Sequence, residues 1–168
     1  MAIELVVEMV EHLRAGRPLH TLDAELAQQP LTAARRLGLD DSWLRKLEQA
    51  NPEGRQVLSI ARITGGAAST RVLQQGDLLL AVDGKVVTRY RDVERLVGGK
   101  PEVQVTVWRG EGETTLTVTT TALGGVDVDR VVQWAGATLQ APHRAMSAQR
   151  GIAPEGVYVA FFAYGSPA

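Results

Sequence analysis

Cysteine is absent from these 168 residues. That removes a disulfide frame, a thiol nucleophile and a cysteine-ligated zinc site together, and it fits a reducing or an oxidising compartment equally well. Neither sign of charge is in excess. The net charge is −1, with 18 Lys and Arg against 19 Asp and Glu, so the chain offers no electrostatic footprint for nucleic acid or an anionic membrane. No apolar run approaches the ~20 residues of a membrane-spanning helix, since Ile3 to Val10 is short and is interrupted by Glu4 and Glu8. The first residues show no basic stretch followed by a long apolar core, so they do not read as a secretory leader. Catalytic patterns are missing too. No Gly-x-Ser-x-Gly surrounds any serine, and Ser166 in Gly-Ser-Pro-Ala reads as a turn residue. His12 and His143 fall on separate predicted helices without a metal-ligand spacing, and His20 with Asp23 alone makes no triad. Asp77 and Asp83 have turn duties that account for them. The expectation is therefore no catalytic residue, no metal and no cofactor.

What is present is an ordinary globular composition, 45% hydrophobic and 22% charged, in a length that holds one large or two small domains. The most telling stretch is Gln75-Gly76-Asp77-Leu78-Leu79-Leu80-Ala81-Val82-Asp83-Gly84-Lys85-Val86-Val87. Leu78, Leu80 and Val82 alternate with Leu79 and Ala81, which predicts a strand buried on both faces. Asp83-Gly84 predicts a two-residue hairpin turn, because both central positions of a type I′ turn need positive φ. Thr88 to Gly99 then predicts a short amphipathic helix with Thr88 as N-cap, Val93, Leu96 and Val97 as its apolar stripe and Gly98 as its stop. Glu102 to Gly110 alternates as a strand, turns at Glu111-Gly112-Glu113 and returns from Thr114 to Thr120. Upstream, Ile3, Val6, Val7, Val10 and Leu13 mark one helix face that ends at Gly16. Leu22 to Leu26 reads as a half-buried strand, Pro30 to Leu37 and Asp41 to Ala50 as helices, and Gln56 to Ile63 as a strand. Gly65 to Ser69 is a small-residue turn.

That order resembles a PDZ domain of the circularly permuted type found in HtrA/Deg serine proteases, where a Gly-Asp strand precedes the peptide-binding helix and a closing hairpin. The match is good from Leu58 to Thr120. The resemblance implies a mainly β fold with helices (α+β), a PDZ-like and partly open antiparallel β-barrel or sandwich. The opening helix, Gly16 and loop resemble the passage from a protease domain into its PDZ domain. In that family the loop carries an Arg-Gly-x-Leu-Gly sequence whose backbone N–H groups hold a ligand's C-terminal carboxylate. Here the matching residues are Leu19-His20-Thr21-Leu22-Asp23. Leu22 fits, but both glycines and the arginine are absent. Asp23 also brings negative charge toward the carboxylate position, so weak capture of free C-termini is expected. The implied groove has His20, Thr21, Leu22, Asp23 and Ala24 on one wall and Tyr90, Val93, Leu96 and Val97 on the other. The helix residues carry two open meanings, core packing and groove wall. In the second, a peptide adds as an extra strand beside Leu22 to Leu26.

Beyond Ala122-Leu123-Gly124-Gly125, which reads as a linker, a second pass of the pattern begins. Arg130 to Ala137 resembles a better-kept carboxylate loop, with Trp134, Ala135, Gly136 and Ala137 as its candidate residues. Gly136 would allow the close approach of an N–H nest, while Trp134 has the alternative of plugging a core. Pro142 to Gln149 reads as a helix, Glu155-Gly156 as a turn and Val157 to Phe162 as a strand. The expected organisation is a linker helix (1–18), a PDZ-like domain (19–121), a linker (122–129) and part of a second PDZ-like domain (130–168), within a longer protein. The resemblance implies a non-catalytic module that binds extended or C-terminal hydrophobic protein segments, or that regulates a protease domain of the same parent chain. Its rival is an architectural or oligomerisation domain with a closed groove. Self-association through the residues after Gly125, or folding of that region back onto the first unit, is expected; nucleic-acid binding and membrane insertion are not, and the resemblance points to the bacterial periplasm.

Overall fold

A computed structural model of the protein describes residues 3–16, 18–123, 128–165 and 167. Its helices are α1 (Ile3–Arg14), α2 (Leu31–Arg36), α3 (Asp41–Ala50), α4 (Tyr90–Val97) and α5 (Arg144–Arg150). Its strands are β1 (Leu19–Thr21), β2 (Ala24–Pro30), β3 (Gln56–Ile63), β4 (Leu78–Val82), β5 (Lys85–Val86), β6 (Glu102–Arg109), β7 (Gly112–Thr119), β8 (Thr121–Leu123), β9 (Val131–Trp134), β10 (Ala137–Gln140) and β11 (Tyr158–Phe162). The main sheet runs β2-β3-β4-β6-β7 with β5 paired to β4, and it does not close into a barrel. Every pairing is antiparallel. The architecture is α+β, as the sequence implies.

All five residues of β4 are buried, and each belongs to one of two cores. Leu79 and Val82 pack with Leu58, Ile60, Val105 and the α4 residues Val93 and Val97. Leu78, Leu80 and Ala81 pack with Trp43, Leu44 and Leu47 of α3 and with Trp108. A register shift between Leu79 and Ala81 breaks the strict alternation and lets Val82 join the α4 side. Removing Leu79 or Leu80 to Ala should cost about 2–5 kcal/mol, the range for a fully buried leucine.

Polar residues fix the turns around this strand. Asp77 accepts from both Nε and Nη2 of Arg109 at 2.7 Å, and from the Gln74 backbone N–H at 2.9 Å. This fork holds the Arg109 guanidinium still more firmly protonated than usual. Asp83 and Gly84 adopt φ of 47° and 73°, the values a type I′ turn requires. Asp83 also accepts from Lys100 Nζ at 2.6 Å and Gln104 N–H at 2.8 Å. The lysine bond first, then the backbone bond, lowers its carboxyl below the usual range. Asp40 caps α3 by accepting the Trp43 N–H at 2.8 Å.

Several boundaries differ from the sequence reading. The strand expected at Leu22 to Leu26 starts instead at Ala24, because Asp23 sits at φ 53° and turns the chain. The N-cap of α4 is Arg89 rather than Thr88, with the Asp92 carboxylate accepting the Arg89 N–H at 3.1 Å. Ala122 and Leu123, expected in a linker, belong to β8, which pairs with β1 across a hundred residues. The rest of that expected linker at 124–127 lies outside the described residues, as does Ser166. Trp134 to Ala137 forms no open loop. Ala135 and Gly136, at φ 47° and 87°, make the two-residue turn of the β9–β10 hairpin, where Trp134 pairs with Ala137. Trp134 is exposed, so it plugs no core either.

The C-terminal residues form a three-stranded sheet, β11-β10-β9, with α5 between β10 and β11. They rest against the main body at several points among the described residues. Arg144 of α5 pairs with Asp23, Arg62 of β3 donates to the Gln149 carbonyl, and Gly65 lies so near the Ile152 backbone that a Cβ there would overlap it. Val131, Trp134, Phe161 and Phe162 of this sheet remain exposed.

Candidate functional site

The sheet ends at β2, and among the described residues no strand pairs with its outer edge. An edge strand presents a row of unpaired N–H and C=O groups unless something covers it. Here α4 stands beside the edge without sealing it, and a cleft of about 550 Å³ lies between them. Ala24 and Leu26 of β2 form one side of the cleft, and Tyr90, Val93 and Val97 of α4 form the other. Val93 and Val97 are buried, so they pack the core while bordering the cleft. The cleft is also lined by Leu19 to Leu22, which precede β2 in the chain, by Leu123 of β8 and by His12 of α1.

The expected groove residues divide as follows. His20, Thr21, Leu22, Ala24, Tyr90, Val93 and Val97 all border the cleft. Leu96 does not. It turns to the flank of the core, where it is partly buried. His20 is pinned by a 2.7 Å hydrogen bond between its Nδ1 and Thr120 Oγ1, and Thr21 Oγ1 accepts the Asp23 N–H at 3.2 Å. Asp23 is absent from the main cleft and borders a smaller cavity of about 300 Å³ beside it. Its side chain is only 3% exposed and is paired with the Arg144 guanidinium. The negative charge that the sequence places at the loop is therefore not presented to the cleft. Trp134, Ala135, Gly136 and Ala137, spent on a hairpin, are not among the residues around either cavity.

Sequence reasoning missed the charged rim. Arg91, Glu94 and Arg95 of α4 and Arg144 of α5 all border the cleft. Nothing in the sequence singles out the three arginines or Glu94, and only the fold brings Arg144 to Asp23, 121 positions away. Partial burial and the Glu94 charge raise the Tyr90 phenol above its usual pKa, and the Arg144 charge opposes them. Among the described residues no group of three or more His, Asp or Glu could hold a metal ion, and no helix is long and apolar enough to cross a membrane.

No family model matches the chain. Curated relatives do. The pro-apoptotic serine protease NMA111 of Phaeosphaeria nodorum is 31% identical over 170 residues, covering 100% of this chain and 16% of that protein. Protease Do-like 7 of Arabidopsis thaliana is 35% identical over 171 residues, covering 95% of this chain and 16% of the relative. A PDZ domain-containing protein of Schizosaccharomyces pombe is 33% identical over 170 residues, covering 100% of this chain and 17% of the relative. The chain thus spans about one sixth of the relatives it matches. Being fungal and plant proteins, they lend no support to the periplasm. Among solved structures, an HtrA-type protease with a decapeptide aligns at a TM-score of 0.53 and 18% identity, over 74% of this chain and 36% of the other. At that identity the likeness concerns the fold.

Proposed function

We propose that this chain, homologous along its whole length to a segment of HtrA-type serine proteases, is a PDZ-type module that binds peptide segments and does no catalysis itself. In this reading an extended apolar segment of a protein adds to the outer edge of β2. Its main chain hydrogen-bonds to the strand, and its side chains enter the apolar cleft against Val93 and Val97. The proteolysis belongs to a protease domain elsewhere in the parent chain, which the module supplies with substrate or regulates. The observation that carries the reading is the cleft of about 550 Å³ between an unpaired sheet edge and α4. That volume lies in the range of ligand-binding pockets.

A screen of displayed peptides against the purified chain tests this, followed by calorimetry on the selected sequences. Apolar peptides are expected to bind at micromolar Kd, about −8 kcal/mol. Ala24→Arg, which fills the cleft beside β2, should abolish the signal. Failure to enrich any peptide, or binding indifferent to Ala24→Arg, would refute the groove.

A second reading is architectural, in which the C-terminal residues mediate contacts between chains. The exposed Val131, Trp134, Phe161 and Phe162 of the three-stranded sheet favour it.

A further inference from the structure

His20 borders the cleft, and a chain of hydrogen bonds behind it decides which of its ring nitrogens holds the proton. The chain starts at the Lys100 carbonyl, a group that only accepts. Thr120 has a single hydroxyl hydrogen, and its Oγ1 donates that hydrogen to the Lys100 carbonyl. His20 Nδ1 lies 2.7 Å from the same Oγ1. With its hydrogen spent, the hydroxyl has only lone pairs left for the imidazole, so Nδ1 is the donor of this bond. A neutral imidazole carries one N–H, which leaves Nε2 with a lone pair. Thr120 is buried, and β1 pairs with β8 at His20 and Ala122, so the ring is held against this wall.

Nε2 is the unengaged edge of the ring. It has no hydrogen-bond partner among the described residues, and it is not sealed from solvent. The Nδ1 edge faces Thr120, so the edge left for the cleft is the one that accepts. Leu19 and Leu22 of the same segment line the cleft with it, as does Leu123, the partner of Leu19 across the β1–β8 pair. A lone acceptor among leucines discriminates by what covers it. A ligand that brings a donor replaces the water on Nε2, whereas one that brings only carbon strips that water and returns nothing.

We propose that His20 Nε2 is a fixed hydrogen-bond acceptor of the cleft, and that it selects apolar segments bringing a neutral O–H or N–H donor beside β1. The proposal rests on the peptide-groove reading above and adds to it the chemistry that the ligand carries. Such a donor has two sources, a hydroxyl or amide side chain within an extended segment, or a primary amide at its end. A carboxylate brings acceptors only, so His20 retains the expectation of weak capture of free C-termini. The acceptor comes from the strand before the sheet edge, not from α4. Thr120, a hundred positions away, acts through His20 as a positioning residue that sets its tautomer.

The test uses the full chain at mildly alkaline pH. Long-range proton–nitrogen NMR correlations read the tautomer directly, and wild type should show His20 with its proton on Nδ1. Thr120→Val, which keeps the shape and removes the hydroxyl, should release the ring toward the other tautomer. The binding probe is an apolar ten-residue peptide of Val and Leu closed by an acetyl group and a dimethylamide, so that neither end is charged and the C-terminal end adds no donor. One set of relatives replaces each Val in turn by the isosteric Thr, and another relative ends in a primary amide. In titration calorimetry at least one of these should bind wild type about tenfold more tightly than the parent, the effect of one hydrogen bond. A gain from a Thr peptide assigns the side chain as the source, and a gain from the primary amide assigns the end. His20→Phe should bring the donor peptides level with the parent, and Thr120→Val should reduce the gain. A wild-type proton on Nε2 would overturn the proposal, as would a ring unchanged in Thr120→Val or a gain that survives in His20→Phe. If wild type binds every peptide equally and Ala24→Arg abolishes them all, the groove stands and the acceptor falls. If wild type binds none, both readings fall.

Discussion

Replacing Arg109 by Met should destabilise the protein more than replacing Asp77 by Asn, although each removes one half of the same ion pair. The asymmetry comes from burial. The Asp77 side chain is 1% exposed and the Arg109 side chain 30%. Without Arg109, the Asp77 carboxylate keeps only the Gln74 N–H at 2.9 Å and cannot reach water. A buried charge left in that state costs about 3–5 kcal/mol. Without the Asp77 charge, the Arg109 guanidinium turns to solvent and keeps its 2.8 Å bond to the Val72 carbonyl. The loss is then closer to the value of a charge-assisted hydrogen bond, about 2 kcal/mol. The double variant Asp77→Asn with Arg109→Met should cost less than the sum by about 1–3 kcal/mol, the coupling of residues in contact. Urea unfolding followed by tryptophan fluorescence measures all three, with the three tryptophans of the chain as probes and an unchanged m-value as the check that only stability moved. Equal costs for the two single variants, or a larger cost for Asp77→Asn, would refute the argument from burial.

Three further outcomes follow from the same geometry. Asp83 has its carboxyl pKa lowered by Lys100 and the Gln104 N–H. Its stabilisation is present above the unfolded value of about 4 and is lost as pH falls through the lower folded value. Asp83→Asn should remove that acid dependence and lower stability at pH 7 by about 0.5 kcal/mol, because the pair is partly solvated and screened. Melting temperatures between pH 7 and pH 3 check this. Gly65→Ala should push the C-terminal sheet off the main body, since the added Cβ would overlap the Ile152 backbone; faster exchange at 144–152 with α3 unaffected is the expected readout. The exposed apolar residues Trp134, Phe161 and Phe162 should drive self-association. Substituting all three by Ser should shift a concentration-dependent light-scattering mass to that of the monomer, and a wild type that is monomeric at high concentration would refute it.

Legibility in the sequence tracks how local the physics is. The bounds of α3 and β3 match those read from the residues, because a cap, an apolar period and flanking turns all lie within a few positions. The same holds for the Asp83-Gly84 turn and for the doubly buried β4. The pairing of β1 with β8 was invisible, since three-residue strands carry no period and the partners are a hundred positions apart. Asp23 was misjudged for the same reason. Its charge is visible in the loop, but the Arg144 that neutralises it lies on a distant helix. The Trp134–Ala137 segment failed differently. Its glycine was read as permission for a nest, yet two residues of positive φ between apolar runs also signal a hairpin. Paired Gln133 and Thr138, 2.8 Å apart through Nε2 and Oγ1, mark that register.

The bulge in β4 has a consequence for how the main body comes apart. Because this one strand supplies side chains to the core under α4 and to the core under α3, neither layer can open while the other stays closed. A helix that lifts away exposes leucines and valines whose neighbours on the same strand are still engaged on the far side. Cooperative units of opening are set by such shared elements. The wall of the cleft formed by α4 therefore draws its rigidity from α3 on the opposite face, which touches no ligand. Slow exchange in the two helices should rise and fall as one unit.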